Sequence, residues 1–92
     1  MVITENSLRD AIAAAAKIVD ERLAKYPKHG VYLHAAEQLA AMLVFVNNGQ
    51  WKTASRDFVD IGLMAARELD PSDPELADAL MMADYQFKNF SG

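Results

Sequence analysis

Eight consecutive apolar residues in the middle of the chain constrain its fold more than any other feature. Residues 39–46 read Leu-Ala-Ala-Met-Leu-Val-Phe-Val, inside a segment whose apolar side chains have helical spacing. A surface helix needs only one apolar stripe and keeps its other face polar. This segment instead places apolar side chains on almost every side of the helix. We therefore expect it to be covered from more than one direction, by the rest of the chain or by another molecule.

Four helices are predicted, separated by the prolines, glycines and asparagines that interrupt helices. The first begins near Ser7, which forms an S-x-x-D capping pattern with Asp10, and it ends before Pro27. The second covers about residues 31–47 and ends where asparagine and glycine permit left-handed backbone. The third covers about residues 50–69.

The fourth helix follows Asp73, a candidate N-cap, with Pro74 in its first turn. Gly62 stands among large apolar residues of the third helix, which indicates a close crossing with a neighbouring helix. No segment alternates apolar and polar residues for long enough to predict a strand. The prediction is a single all-α domain over residues 1–92, a compact antiparallel bundle of four helices.

The charge and composition exclude several classes of function. A formal net charge of −4 repels phosphate backbones, so we expect no nucleic-acid partner. The chain contains no cysteine, which excludes disulfides, thiolate metal sites and cysteine nucleophiles. No stretch approaches the length of an apolar membrane span, and the start of the chain lacks the features of a signal peptide. We therefore expect a cytoplasmic protein that has no membrane partner.

About half of the chain, residues 34–80, resembles a tetratricopeptide repeat. Gly49 is followed two residues later by Trp51 and three further on by Ala54, as in the turn of that repeat, and Phe58 follows at the position of its aromatic residue. Only one such unit is visible, and the third predicted helix of the chain is longer than a helix of the repeat. The resemblance implies a helical hairpin as a variant of the bundle, and a role in binding proteins or peptides.

Two groups of polar residues are candidate metal-binding or catalytic sites. His34 and Glu37 share a helix face, but a metal site in a helical bundle needs further histidines and glutamates. The carboxylates at positions 70, 73, 75 and 78 lack the spacing and glycine of a calcium loop, and the helix dipole favours them where they are. We predict no catalytic, cofactor-binding or metal-binding residue, no small-molecule substrate, and a protein that is not an enzyme.

The chain has more apolar helix surface than the inner stripes of four helices require. One interpretation is that the second helix is central and the other helices cover its far face. The other is that some of these side chains form an exposed interface. The predicted partner-binding residues are Val44, Phe45, Met64, Met81, Met82 and Tyr85.

Three functional hypotheses follow. The first is a non-catalytic interaction module that self-associates or docks a partner helix or peptide through its methionine and aromatic surface. The alternative is a small acidic inhibitor or immunity-type protein, whose negative surface blocks a basic site on a target protein. An enzyme would need a pocket where His34, Glu37 or Asp84 converge.

Overall fold

Helix α1 spans Glu5–Lys25 in the computed structural model, which describes residues 3–49, 56 and 58–90. Its N-cap is Thr4 rather than Ser7: the Thr4 hydroxyl accepts the Ser7 backbone N–H at 3.0 Å, and Ser7 Oγ accepts the Thr4 N–H at 3.2 Å. The prediction therefore placed the start about one turn late, because Ser7 is the third residue of a reciprocal capping box. The helix ends at Tyr26, before Pro27.

Helix α2 spans Gly30–Asn47, as the sequence predicts to within one residue. The chain leaves this helix through Gly49, whose φ of +68° lies in the left-handed region that glycine adopts without strain. Residues 50–55 and 57 lie outside the described part of the chain, and so does the predicted start of the third helix.

Helix α3 spans Ile61–Met64 and continues as one turn of π-helix over Ala65–Leu69. Residues 56 and 58–60 are not helical, so the predicted helix does not extend through these described residues. A buried side chain of α2 explains the late start. Gln38 Oε1 accepts the backbone N–H groups of Asp60 and Ile61, at 2.9 and 3.0 Å. Because these N–H groups already have a partner, Gln38 performs the function of an N-cap for α3 from another helix.

Helix α4 spans Pro74–Asn89 and begins as predicted. Asp73 is its N-cap and accepts the backbone N–H of Leu76 at 3.4 Å, and Pro74 occupies the first turn.

Long-range side-chain contacts define the directions of the helices. Arg9 near the start of α1 binds Asn47 at the end of α2, and Ser7 binds Gln86 near the end of α4. Both α2 and α4 therefore run antiparallel to α1. The described residues contain no strand, and the four helices form the predicted compact, antiparallel all-α bundle.

A cluster of three phenylalanine rings adjoins the aliphatic layers of the core: Phe45 and Phe87 are buried, and Phe58 is 43 % exposed at the edge. The rings of Phe45, Phe58 and Phe87 lie 5.1 to 5.8 Å apart, at tilted or edge-to-face angles that aromatic pairs favour. Leu8 and Leu80 are among the fully buried side chains that fill the adjoining layers.

Gly62 allows α3 to approach α4 closely. Its backbone N–H donates to Asp84 Oδ2 at 2.8 Å, and a Cβ added to Gly62 would lie 2.8 Å from Asp84 Cγ. Asp84 is buried and also pairs with Lys88 at 3.0 Å, so its side chain has little space to move. The predicted close crossing is confirmed, and its cause is a buried carboxylate.

Gly62→Ala is expected to destabilise the fold by about 1–3 kcal/mol, because the new methyl group collides with Asp84. The steric cost of the collision should exceed the roughly 1 kcal/mol that alanine contributes as a better helix former, so the net effect is a loss of stability. Urea unfolding would measure it. Gly30→Ala is the matched control, since no atom lies within 4 Å of the added Cβ. Equal stability of the two variants would show that the Asp84 contact does not limit the crossing.

Candidate interaction surface

The six predicted partner-binding residues lie in three different environments. Phe45 is only 5 % exposed, because its ring packs in the phenylalanine cluster, so the folded chain does not present this side chain on its surface. Met64 and Met81 are half-buried against the core. Val44, Met82 and Tyr85 are 55, 49 and 55 % exposed.

The exposed members do not form one patch. The inner faces of α2 and α4 meet at Phe45 and Phe87, whose ring centroids are 5.1 Å apart. Side chains on the outer faces of these helices therefore point away from each other. Val44 lies on the outer side of α2, whereas Met82 and Tyr85 lie on the outer side of α4. The exposed members of the predicted surface therefore lie on two helix faces, one on α2 and one on α4.

The first surface is the α4 face, which we define as the exposed stripe of Glu75, Asp78, Met82, Tyr85 and Asn89. These residues recur at intervals of three and four, so they share one side of the helix. Two carboxylates precede a methionine and a tyrosine, and Asn89 donates to the Tyr85 carbonyl oxygen at 2.8 Å. The face is acidic at its start and apolar along its centre.

An ion-pair network attaches the N-terminal end of the α4 face to α1. The Arg22 guanidinium contacts Asp73 at 2.8 and 3.2 Å and Glu75 at 2.9 Å. Arg22 holds the pKa of Asp73 below its usual range, and the Leu76 backbone N–H acts in the same direction. The two carboxylates in turn raise the pKa of Arg22. The start of α4 is therefore held by a cap and by charge together.

The second surface contains an apolar recess between α1 and α2, which we call the α1–α2 groove. It has a volume of about 310 Å³ and is bounded by Arg9 and Asp20 on α1. Its remaining lining is apolar: Ile12, Ala13, Ala16, Val19, Ala36, Leu39, Ala40 and Leu43. The exposed side chains of Leu33 and Val44 lie on the adjoining side of α2.

A second recess, of about 320 Å³, lies between the start of α2 and α3. His34 Nε2 is 2.9 Å from Asp60 Oδ1, and Gln38 Nε2 donates to the same oxygen at 2.7 Å. Hydrogen bonds from His34 and then Gln38 lower the pKa of Asp60. His34 thus pairs with Asp60 rather than with Glu37. The Asp60 carboxylate thus accepts a hydrogen bond from Gln38, the side chain that also caps the start of α3.

Further observations concern metal binding, membrane spans and the acidic junction before α4. Within residues 3–49, 56 and 58–90, no three His, Asp or Glu side chains lie close enough together to hold a metal ion. Across the same residues, no helix has the length and apolar character needed to cross a membrane. In the acidic junction before α4, Asp73 caps the helix, as the helix-dipole interpretation requires.

Sequence reasoning missed two exposed leucines. Leu43 is exposed and lines the α1–α2 groove, and Leu33 is also exposed, but neither is among the predicted partner-binding residues. The positions of these residues around the axis of α2 could have revealed this side of the helix. Leu33, Ala40 and Val44 are separated by seven and four residues and so share one side.

The chain is a small all-α protein whose described surface carries two exposed apolar faces. It belongs to the Tsi6 family, whose family model matches residues 7–89. One relative, the Immune protein Tsi6 of Pseudomonas aeruginosa PAO1, is 34 % identical over 74 residues, which cover 80 % of this chain and 79 % of the relative. No solved structure matches the chain significantly.

Membership of this family corrects the resemblance to a tetratricopeptide repeat. The family match covers nearly the whole chain, whereas the resemblance covered half of it. Trp51 and Ala54 of the repeat-like turn lie outside the described residues, and residues 56 and 58–60, which should continue the helix after the turn, are not helical. A glycine followed by an aromatic residue is common to many helix connections, so the pattern did not identify the family.

Replacing Asp73 with asparagine should reveal its charge through the pH dependence of stability. Asparagine caps helices as well as aspartate does, so mainly the ion pair with Arg22 is removed. Because the native pKa of Asp73 is lowered, its carboxylate stabilises the fold above its ordinary pKa of about 3.9. This contribution is lost as the pH falls through the lowered native value. Thermal unfolding should show wild type more stable at neutral pH and the difference vanishing in acid, and a pH-independent difference would contradict the assignment.

Proposed function

We propose that this chain is a non-catalytic immunity protein that binds a toxin protein and holds it inactive. The observation that carries the proposal is membership of the Tsi6 family, with an immune protein as a relative over four-fifths of the chain. Of the hypotheses drawn from the sequence, the proposal adopts the alternative, an acidic inhibitor or immunity-type protein, in place of the general interaction module. A cytoplasmic location, where such a protein would meet its toxin, remains a prediction.

The α4 face has the chemical character that this function needs. Tyrosine and methionine are enriched in protein interfaces, because they bury a large apolar area with few conformational states. Met82 and Tyr85 are about half exposed on a helix that is anchored at its N-terminal end by Asp73 and along its inner side by Asp84. A rigid helix loses little conformational entropy when it binds.

The charge of the α4 face indicates the chemistry of the partner. Asp78 makes no ion pair with another described residue, and Glu75 is two-thirds exposed even though it contacts Arg22. Lys88, the nearby cation of α4, is paired with the buried Asp84. The face therefore complements a target surface that combines cationic side chains with an apolar depression. A basic cleft of a toxin is such a surface.

Tyr85→Ala is expected to weaken toxin binding by about tenfold or more, the effect of a central aromatic anchor. The readouts are growth of cells that co-express the chain with a toxin candidate encoded beside its gene, and calorimetric titration of the purified pair. Tyr26→Ala is the matched control, since Tyr26 is also 55 % exposed but lies at the end of α1. Equal losses in both variants, or none in either, would contradict a role for the α4 face.

Asp78→Lys should reduce the affinity and the salt dependence of toxin binding, because it reverses a charge on the α4 face. Asp10→Lys makes the same change in net charge on an exposed position of α1 and serves as the control. The association rate, measured by stopped flow at several salt concentrations, should fall more for Asp78→Lys. Binding that does not respond to salt in the wild type would show that charge does not guide the encounter.

A further inference from the structure

The α1–α2 groove remains without an occupant when the α4 face is assigned to a toxin. Its recess of about 310 Å³ is apolar between two charged ends, and Leu33 and Val44 stand exposed beside it. We propose that this face binds a second copy of the same chain in a two-fold symmetric dimer. This inference does not depend on the proposed immunity function.

The shape of the face suits an interface between helices. Alanines on both walls let a second pair of helices approach closely, while Leu33, Leu43 and Val44 project beside the recess. In a two-fold interface the same patch occurs on both partners, so the projecting side chains of one copy can fill the recess of the other. Removing these side chains from water is the main favourable contribution to association.

The charges at the two ends of the groove are complementary under two-fold symmetry. Arg9 and Asp20 are 11 residues apart on α1, which places them about 16 Å apart along the helix axis. A two-fold axis that lies in the interface, perpendicular to α1 at the centre of the groove, makes the two copies of α1 antiparallel. Arg9 of each copy then faces Asp20 of the other copy, which gives two such pairs. Asp20 makes no ion pair with any other described residue, whereas Arg9 contacts Glu5 and Asn47 and retains further N–H donors.

This charge pattern distinguishes the groove from the α4 face. The α4 face is acidic, so two copies of it would repel each other, and it requires a partner of opposite charge. The groove carries one cation and one anion at opposite ends, so it complements itself. A second copy is the partner that matches both its symmetry and its apolar surface.

The mass of the protein in solution tests the proposal. Sedimentation equilibrium over about a hundredfold range of concentration should show a species of twice the 10.2 kDa chain mass. Ala40→Glu places a carboxylate in the groove and should raise the dimer dissociation constant by about tenfold or more. Ala41→Glu is the control, because Ala41 is an exposed neighbour outside the groove lining and should leave the dimer intact. Circular dichroism should show that both variants remain folded.

Exchanging the two charges tests the symmetry. Arg9→Glu and Asp20→Arg should each weaken the dimer, and the double variant should restore it. A mixture of the two single variants should form heterodimers, because each pairing across the two-fold axis then joins opposite charges. Native mass spectrometry would detect them, since the two chains differ in mass.

A wild-type protein that stays monomeric throughout the concentration range would overturn the proposal. So would a dimer that Ala40→Glu leaves unchanged or that Tyr85→Ala disrupts. If Ala40→Glu abolishes toxin binding while the wild type is monomeric, the groove is the toxin site and the dimer does not exist. Failure of the immunity function alone would leave the predicted mass and heterodimer results unchanged.

Discussion

The hydrogen bonds from Gln38 to the backbone before α3 determine how the second half of the molecule is arranged. Gln38 accepts the N–H groups of Asp60 and Ile61, and its amide nitrogen donates to the carbonyl oxygen of Phe58. A buried side chain that satisfies three backbone groups costs little to bury, whereas leaving those groups unpaired would cost several times as much as one hydrogen bond contributes. The position of α3 is thereby tied to α2, although the two are distant in sequence.

A second buried polar contact completes the attachment of α3. Asp84 of α4 accepts the Gly62 N–H, so α3 is held between α2 and α4 by one amide and one carboxylate. Helix α3 and the π-helical turn after it contribute Ile61, Ala65 and Leu69 to the core, next to these two polar contacts. The same contacts turn the opposite side of α4 outward, which leaves Met82 and Tyr85 exposed.

The two exposed faces differ in the interaction they can make. The α4 face combines carboxylates with an apolar centre and suits a cationic protein, whereas the α1–α2 groove carries opposite charges at its two ends and suits a copy of itself. Because the two faces lie on different helices, the two proposed associations would use different surfaces.

Local sequence determined the helices whose ends are set by neighbouring residues. Asp73 and Pro74 specify the start of α4, and the Pro27 and Gly49 regions end α1 and α2, because caps and helix-breaking residues act within a few positions. The apolar run at residues 39–46 predicted coverage from several directions, but Leu43 and Val44 of that run are exposed. Only the tertiary structure decided where α3 begins, that Phe45 is core, and that Val44 and Tyr85 lie on different helix faces. Those outcomes depend on Gln38, Asp84 and the phenylalanine cluster, whose partners are 13 to 42 residues away and leave no local pattern.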